Sequence, residues 1–135
     1  TYIREHYQLR AILESACAGL AAEEGVDISG IRDSYEESKA ALGKGDYSQY
    51  ASQNRDFHSE IWAAAGNKKM ENMIAELWNG LSMGNMVTEQ EYAKISIEEH
   101  GRIMDAIAAG DGERAKKEMY AHIMRSRDDM LTYYQ

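Results

Sequence analysis

Proline is absent from this 135-residue chain, and cysteine occurs once. No residue therefore interrupts a helix by removing a backbone donor and clashing with the preceding turn. No intrachain disulfide framework is available either. Cys17 lies among Ala16, Ala18 and Leu20, where it reads as a small packed hydrophobe of a reducing compartment. Basic charge is also scarce: 15 Lys and Arg against 23 Asp and Glu give a net charge of -8. The bases are scattered, so no stripe of them can neutralise a row of phosphates, and the chain is not expected to bind DNA by itself. No apolar run reaches transmembrane length, and the N-terminal TYIREHYQLR is too charged for a signal peptide. A cytoplasmic protein without membrane contact is expected. Strand-like alternation and a repeat of fixed period are missing as well. The sequence starts at Thr1 with helical periodicity almost at once, so a further N-terminal part is expected upstream.

With 44% hydrophobic and 28% charged residues, the chain has the size and composition of one helical domain with a real core. Tyr7, Leu9, Ile12, Leu13, Ala16, Cys17 and Leu20 recur at helical spacing and predict a helix from about Ile3 to Ala22, stopped at Gly25. Asp27 or Ser29 is expected to cap a second helix holding Ile31, Tyr35, Ser38 and Leu42, which ends at GKGD. Asp46 caps a third that runs to about Ala65, where Gly66 and Asn67 stop it. A fourth starts near Lys68, uses Met70, Met73, Ile74, Leu77, Trp78 and Leu81, and loses its period near Gly84. A fifth carries Ile97, His100, Ile103, Met104 and Ile107; the last carries Ala115, Met119, His122, Ile123, Met130 and Tyr133. The fold class is all-α, a bundle of about six helices.

Three of the four histidines fall on apolar stripes. His58 follows Asn54 by one turn, His100 lies between Ile97 and Ile103, and His122 lies between Met119 and Ser126. A single core histidine is ordinarily satisfied by a carbonyl, but burying three in one small bundle is costly unless they share a partner. A divalent transition metal satisfies several imidazoles at once. Residues four apart share a helix face, so Asn54 and His58 can reach one ion together, whereas Asp56 lies about 200° around the helix. The expected shell is the Asn54 amide oxygen, His58, His100 and His122, with open positions left for water or a ligand; a hydrogen-bonded polar core is the alternative. The donors would suit Zn, Ni, Mn, Fe or Co depending on supply. His6, beside Arg4 and Glu5, is expected in solvent. The eight methionines read as adaptable core and pocket lining, Trp62 and Trp78 as core or cavity border, and Asn67 as a turn stabiliser.

In this order, the motifs resemble the FCD domain, the C-terminal effector-binding domain of FadR-type GntR-family transcriptional regulators. LRAILESACAGLAA is similar to that family's first helix, NRDFHSEIWAAAGN to its central signature, and EEHGRIMDAIAAGDGERAKKEMYAHI to its closing one. The resemblance spans nearly the whole chain. It implies an antiparallel bundle of six or seven helices, a metal held at Asn54, His58, His100 and His122, and a small organic acid bound beside or onto that metal. It also implies a homodimer, with a winged helix-turn-helix domain upstream that carries the DNA contact. Arg10 matches the first-helix arginine that commonly faces the effector; its residue-level reading is an exposed pair with Glu14. Two departures stand out. Asn54 replaces the commoner Asp with a neutral, weaker donor that leaves the site more positive, and LWNGLSMGNMV lacks the arginine that often faces the pocket.

Two other classes of function compete with the sensor, the first being a metalloenzyme. A metal-dependent hydrolase on a helical bundle would need a positioned base, and the nearest acids, Glu99 and Asp56, are expected to point outward. A ferritin-like di-iron oxidase needs Glu-x-x-His pairs, which are absent. A metal-free helical dimerisation module is the second competitor. The sensor reading expects a small carboxylate on the metal, with Arg10 as a second contact.

Overall fold

The computed structural model describes residues 2–80 and 89–133, and among these the regular secondary structure is entirely helical. Six helices follow one another: α1 (Tyr2–Ala21), α2 (Ser29–Gly43), α3 (Tyr50–Ala64), α4 (Lys68–Gly80), α5 (Glu89–Ala108) and α6 (Gly112–Tyr133). The expected Leu81, the loss of period near Gly84, and Met83 and Met86 lie outside the described residues, as does the Tyr133 side chain. Helix ends follow the local chemistry. Gly66 leaves α3 at a φ of 76°, a conformation that costs residues with a Cβ far more. Immediately afterwards Asn67 Oδ1 accepts the Met70 N–H (3.0 Å) to cap α4, and Asp111 Oδ1 accepts the Arg114 N–H (3.1 Å) to cap α6.

Asp27 and Asp46 act differently from expectation. Each carboxylate accepts the N–H and the hydroxyl of the serine two residues on, Ser29 or Ser48. These are local turns ahead of the helices, and α2 and α3 begin after Ile28 and Gln49 without a side-chain cap.

Helix α1 packs most extensively on α6, with α3 and α4 along its flanks, while α2 lies against α3 and α5. Short connections join packed neighbours, so α2/α3, α3/α4 and α5/α6 run antiparallel. Glycines let α1 and α6 pack tightly at one end: a Cβ on Gly112 would sit 3.4 Å from the Gly19 carbonyl oxygen. Around this axis Tyr7, Phe57, Ile61, Ile103, Met119 and Ile123 are fully buried, each aliphatic side chain contributing about 1.5–3 kcal/mol.

The buried face of α1 is narrower than its apolar pattern. Tyr7, Arg10, Ala11, Glu14, Cys17, Ala18 and Ala21 point inward, so Leu9 and Ile12 stand 42% and 51% exposed. Met73 is half-exposed on α4, unlike a core methionine. His6 is the reverse case. Expected in solvent, it is buried between the rings of Tyr2 and Tyr7, because α1 turns it toward α4 rather than outward. Among the described residues no helix is long and apolar enough to cross a membrane.

Candidate metal centre

Helix α3 brings Asn54 and His58 inward one turn apart, α5 brings His100 and α6 His122, and all four are buried. One ligating nitrogen from each histidine lies within 4.8 Å of the others. His58 Nε2 and His122 Nε2 are 3.2 Å apart. The His100 ring stacks on Phe57 with centroids 4.1 Å apart and an interplanar angle of 16°. Neither of its nitrogens has a hydrogen-bond partner among the described residues, and neither does Asn54 Oδ1.

Two carboxylates complete the cluster, and the sequence reading missed both. Glu14, on α1, is fully buried: its Oε1 accepts from His58 Nδ1 (2.6 Å) and Trp62 Nε1 (3.0 Å), and its Oε2 from Arg10 Nε (2.8 Å). Glu99, expected to point outward, instead accepts from His122 Nδ1 at 2.7 Å and from Arg125 at 2.7–2.9 Å. A residue next to His100 on α5 is rotated by about 100°, which aims it at the adjacent α6 rather than at solvent. The Arg10–Glu14 pair is real but not exposed. Arg10 is 2% accessible, and its guanidinium lies 4.3 Å from the Trp78 ring centroid. The Trp78 ring is also 5.0 Å from that of His58.

Burial alone would push the Glu14 carboxyl up. The Arg10 charge, His58 and the hydrogen bonds from His58 and Trp62 reverse this and hold it well below the usual carboxylate range. Glu99 is likewise held down against its burial by His122 and Arg125. Burial, reinforced by its charged neighbours, drives His100 well below the ordinary histidine value. Burial also lowers His122 to about 4, despite the opposing pull of Glu99.

Because an ionised carboxylate can only accept, the Nδ1 atoms of His58 and His122 must donate, so in the neutral rings both Nε2 atoms carry lone pairs. Two such lone pairs 3.2 Å apart repel unless a proton or a metal ion lies between them. Ligands about 2.1 Å from one ion are about 3.0 Å apart at a right angle and about 3.4 Å apart at the tetrahedral angle, so the observed spacing suits a shared ion. The His100 nitrogens, unpartnered among the described residues, lie in the same cluster, and Asn54 Oδ1, likewise unpartnered, has the right chemistry for a further donor. The residues present fit a divalent metal.

This arrangement fixes a pH dependence in metal-free protein. A histidine with an unfolded pKa near 6.5 and a folded value of about 4 leaves the unfolded chain holding more protons between those values. Its contribution is complete above pH 6.5 and is lost as the pH falls toward 4, with His100 acting in the same direction. Urea midpoints of metal-free protein are expected to fall between pH 7 and pH 5; a flat profile would contradict buried neutral imidazoles.

A model of the FCD domain family matches residues 5–125. The HTH-type transcriptional regulator LutR of Bacillus subtilis (strain 168) is 28% identical over 146 residues, a match covering 98% of this chain and 64% of LutR. Among solved structures, E. coli McbR/YncC has a TM-score of 0.84 at 21% identity, covering 98% of this chain and 65% of that one. The metal-free FCD domain of TM0439 has a TM-score of 0.79 at 18% identity, covering 98% of this chain and 96% of that one. The chain thus spans 64% of the length of its curated relative and nearly all of a solved FCD domain.

Proposed function

This chain belongs to the FCD domain family, and from that premise we propose that it senses a small carboxylate through a divalent transition metal held by Asn54, His58, His100 and His122. The domain is regulatory and not an enzyme: LutR is a transcriptional regulator. The acids that a hydrolase would use as base are also unsuited, since Asp56 is exposed and Glu99 is tied to His122 and Arg125.

The observation that carries the metal is His100, a fully enclosed imidazole beside two other histidines with both nitrogens unpartnered among the described residues. A satisfied polar core would not leave it so. Zn, Ni, Mn, Fe and Co all suit this donor set. Once bound, the ion supplies positive charge and open coordination positions, which neutral Asn54 leaves uncompensated. As a second contact for the effector the proposal takes Arg10, whose guanidinium is buried against Trp78 and whose Nε is bonded to Glu14.

Calorimetric titration with di- and hydroxycarboxylates is expected to find at least one binder whose affinity drops tenfold or more in metal-free protein. Binding indifferent to metal removal, or confined to neutral or cationic compounds, would overturn the effector reading. Elemental analysis of protein purified without added metal separates this reading from a metal-free dimerisation module.

In the whole regulator a winged helix-turn-helix domain on the N-terminal side would meet DNA, in the cytoplasm and as a homodimer. LutR's designation as HTH-type and the part of LutR left unmatched support the first. Exposed Tyr2 and Leu9 on α1 and Met73 on α4, around a groove of about 290 Å³, with exposed Ile12 one turn beyond Leu9, support pairing along that face. Sedimentation is expected to show a dimer; a strict monomer at high concentration would move the pairing to the N-terminal domain.

A further inference from the structure

We infer that Glu14 and Glu99 are the positioning residues of this centre, each holding one histidine in the tautomer and orientation that presents its Nε2 lone pair to the shared ion. The inference rests on the metal reading above but is separable from it.

Glu14 has no freedom to swing, because Oε1 is fixed by His58 and Trp62 and Oε2 by Arg10, inside a fully buried pocket. Glu99 is fixed from the other side by Arg125, which also pairs with Asp129. The two corners are built alike, each an arginine, a carboxylate, then an imidazole. One comes from α1 acting on α3, the other from α5 and α6. A carboxylate facing Nδ1 forces the proton onto that atom, which fixes the ring, directs Nε2 inward and raises its basicity as a ligand. His100 has no such partner among the described residues and stacks on Phe57. Two donors are therefore set before any ion arrives, and the third is free to choose its tautomer.

The test is made on metal-free protein at a pH where the imidazoles are neutral, using nitrogen–proton correlation spectra of the histidine rings. Wild type is expected to show His58 and His122 as Nδ1–H tautomers. Glu99→Gln, whose amide can either accept or donate, is expected to shift His122 to a tautomer mixture while His58 keeps its state. Zn²⁺ affinity, measured by chelator competition, should fall about 10–100-fold, with the apo protein still folded because Arg125 keeps Asp129 as an ion partner. Glu14→Gln provides the mirror experiment for His58 if it folds. A wild-type His122 found as Nε2–H, or a Glu99→Gln protein with unaltered tautomer and unaltered Zn²⁺ affinity, would overturn the assignment. Wild type with both Nδ1–H rings but no Zn²⁺ uptake would support the positioning role and overturn the metal reading.

Discussion

Stripping metal from the loaded protein with a chelator is expected to lower its melting temperature by on the order of 10 °C, and His100→Ala should abolish that sensitivity. An ion that binds only the folded chain stabilises it by about 4 kcal/mol at a thousandfold excess over its Kd, and for domains near this size 1 kcal/mol moves the midpoint by roughly 2–8 °C. His100→Ala removes one ligand. It also removes an imidazole whose nitrogens are unpartnered in the metal-free state, so the lost stacking on Phe57 is offset by relief of an unsatisfied buried group. Melting curves of variant and wild type should therefore converge once metal is gone. Asn54→Asp should act in the opposite direction, tightening the ion by adding a charge to its shell. A metal-containing wild type whose melting ignores chelator would remove the stabilising role, and weaker metal binding by Asn54→Asp would remove Asn54 from the ligand set.

Arg10→Met is expected to cost about 3–5 kcal/mol at pH 7, because it strands a carboxylate in the core. Methionine fills the space under Trp78, but Glu14 then keeps only its hydrogen bonds from His58 and Trp62 and loses the guanidinium charge. The sign of the pH effect is fixed. Glu14 has a depressed folded pKa, so its contribution is present above the unfolded value near 4.3 and is lost as the pH falls through and below it. The gap between wild type and Arg10→Met should thus be widest near neutrality and narrow in acid. Urea titrations at several pH values measure it. A variant as stable as wild type at pH 7 would mean that the pair holds nothing together.

The six helices were legible because periodicity and glycine stops agree, as at Gly66 followed by Asn67, where one residue ends α3 and the next caps α4. The histidines were legible for the same reason: Asn54 and His58 share a face by spacing, and His100 and His122 interrupt apolar runs. Glu14 and Glu99 were not. Charge near a helix surface ordinarily means solvent, and the signal that Glu14 sits inside was its place in the row of Tyr7, Arg10, Cys17 and Ala21, which is visible only if charged residues are allowed into a buried stripe. Glu99 depends on which helix stands beside α5, a fact of packing that periodicity along one helix does not contain. His6 was misjudged similarly, since its burial is set by α4 crossing α1. Leu9 and Ile12 erred the other way, because an apolar pattern marks every face that avoids water, including one that another chain would cover.

The chain holds only two tryptophans, and both are spent at the same corner. Trp62 donates its N–H to the carboxylate oxygen that holds His58, and Trp78 covers Arg10 and leans on the His58 ring. Indole emission is sensitive to hydrogen bonding at nitrogen and to charge over the ring, and paramagnetic ions at short range quench it. The protein therefore carries an intrinsic optical gauge of its own centre with no indole elsewhere to dilute the signal, so the arrival of an ion or an acid can be followed in real time on unlabelled material.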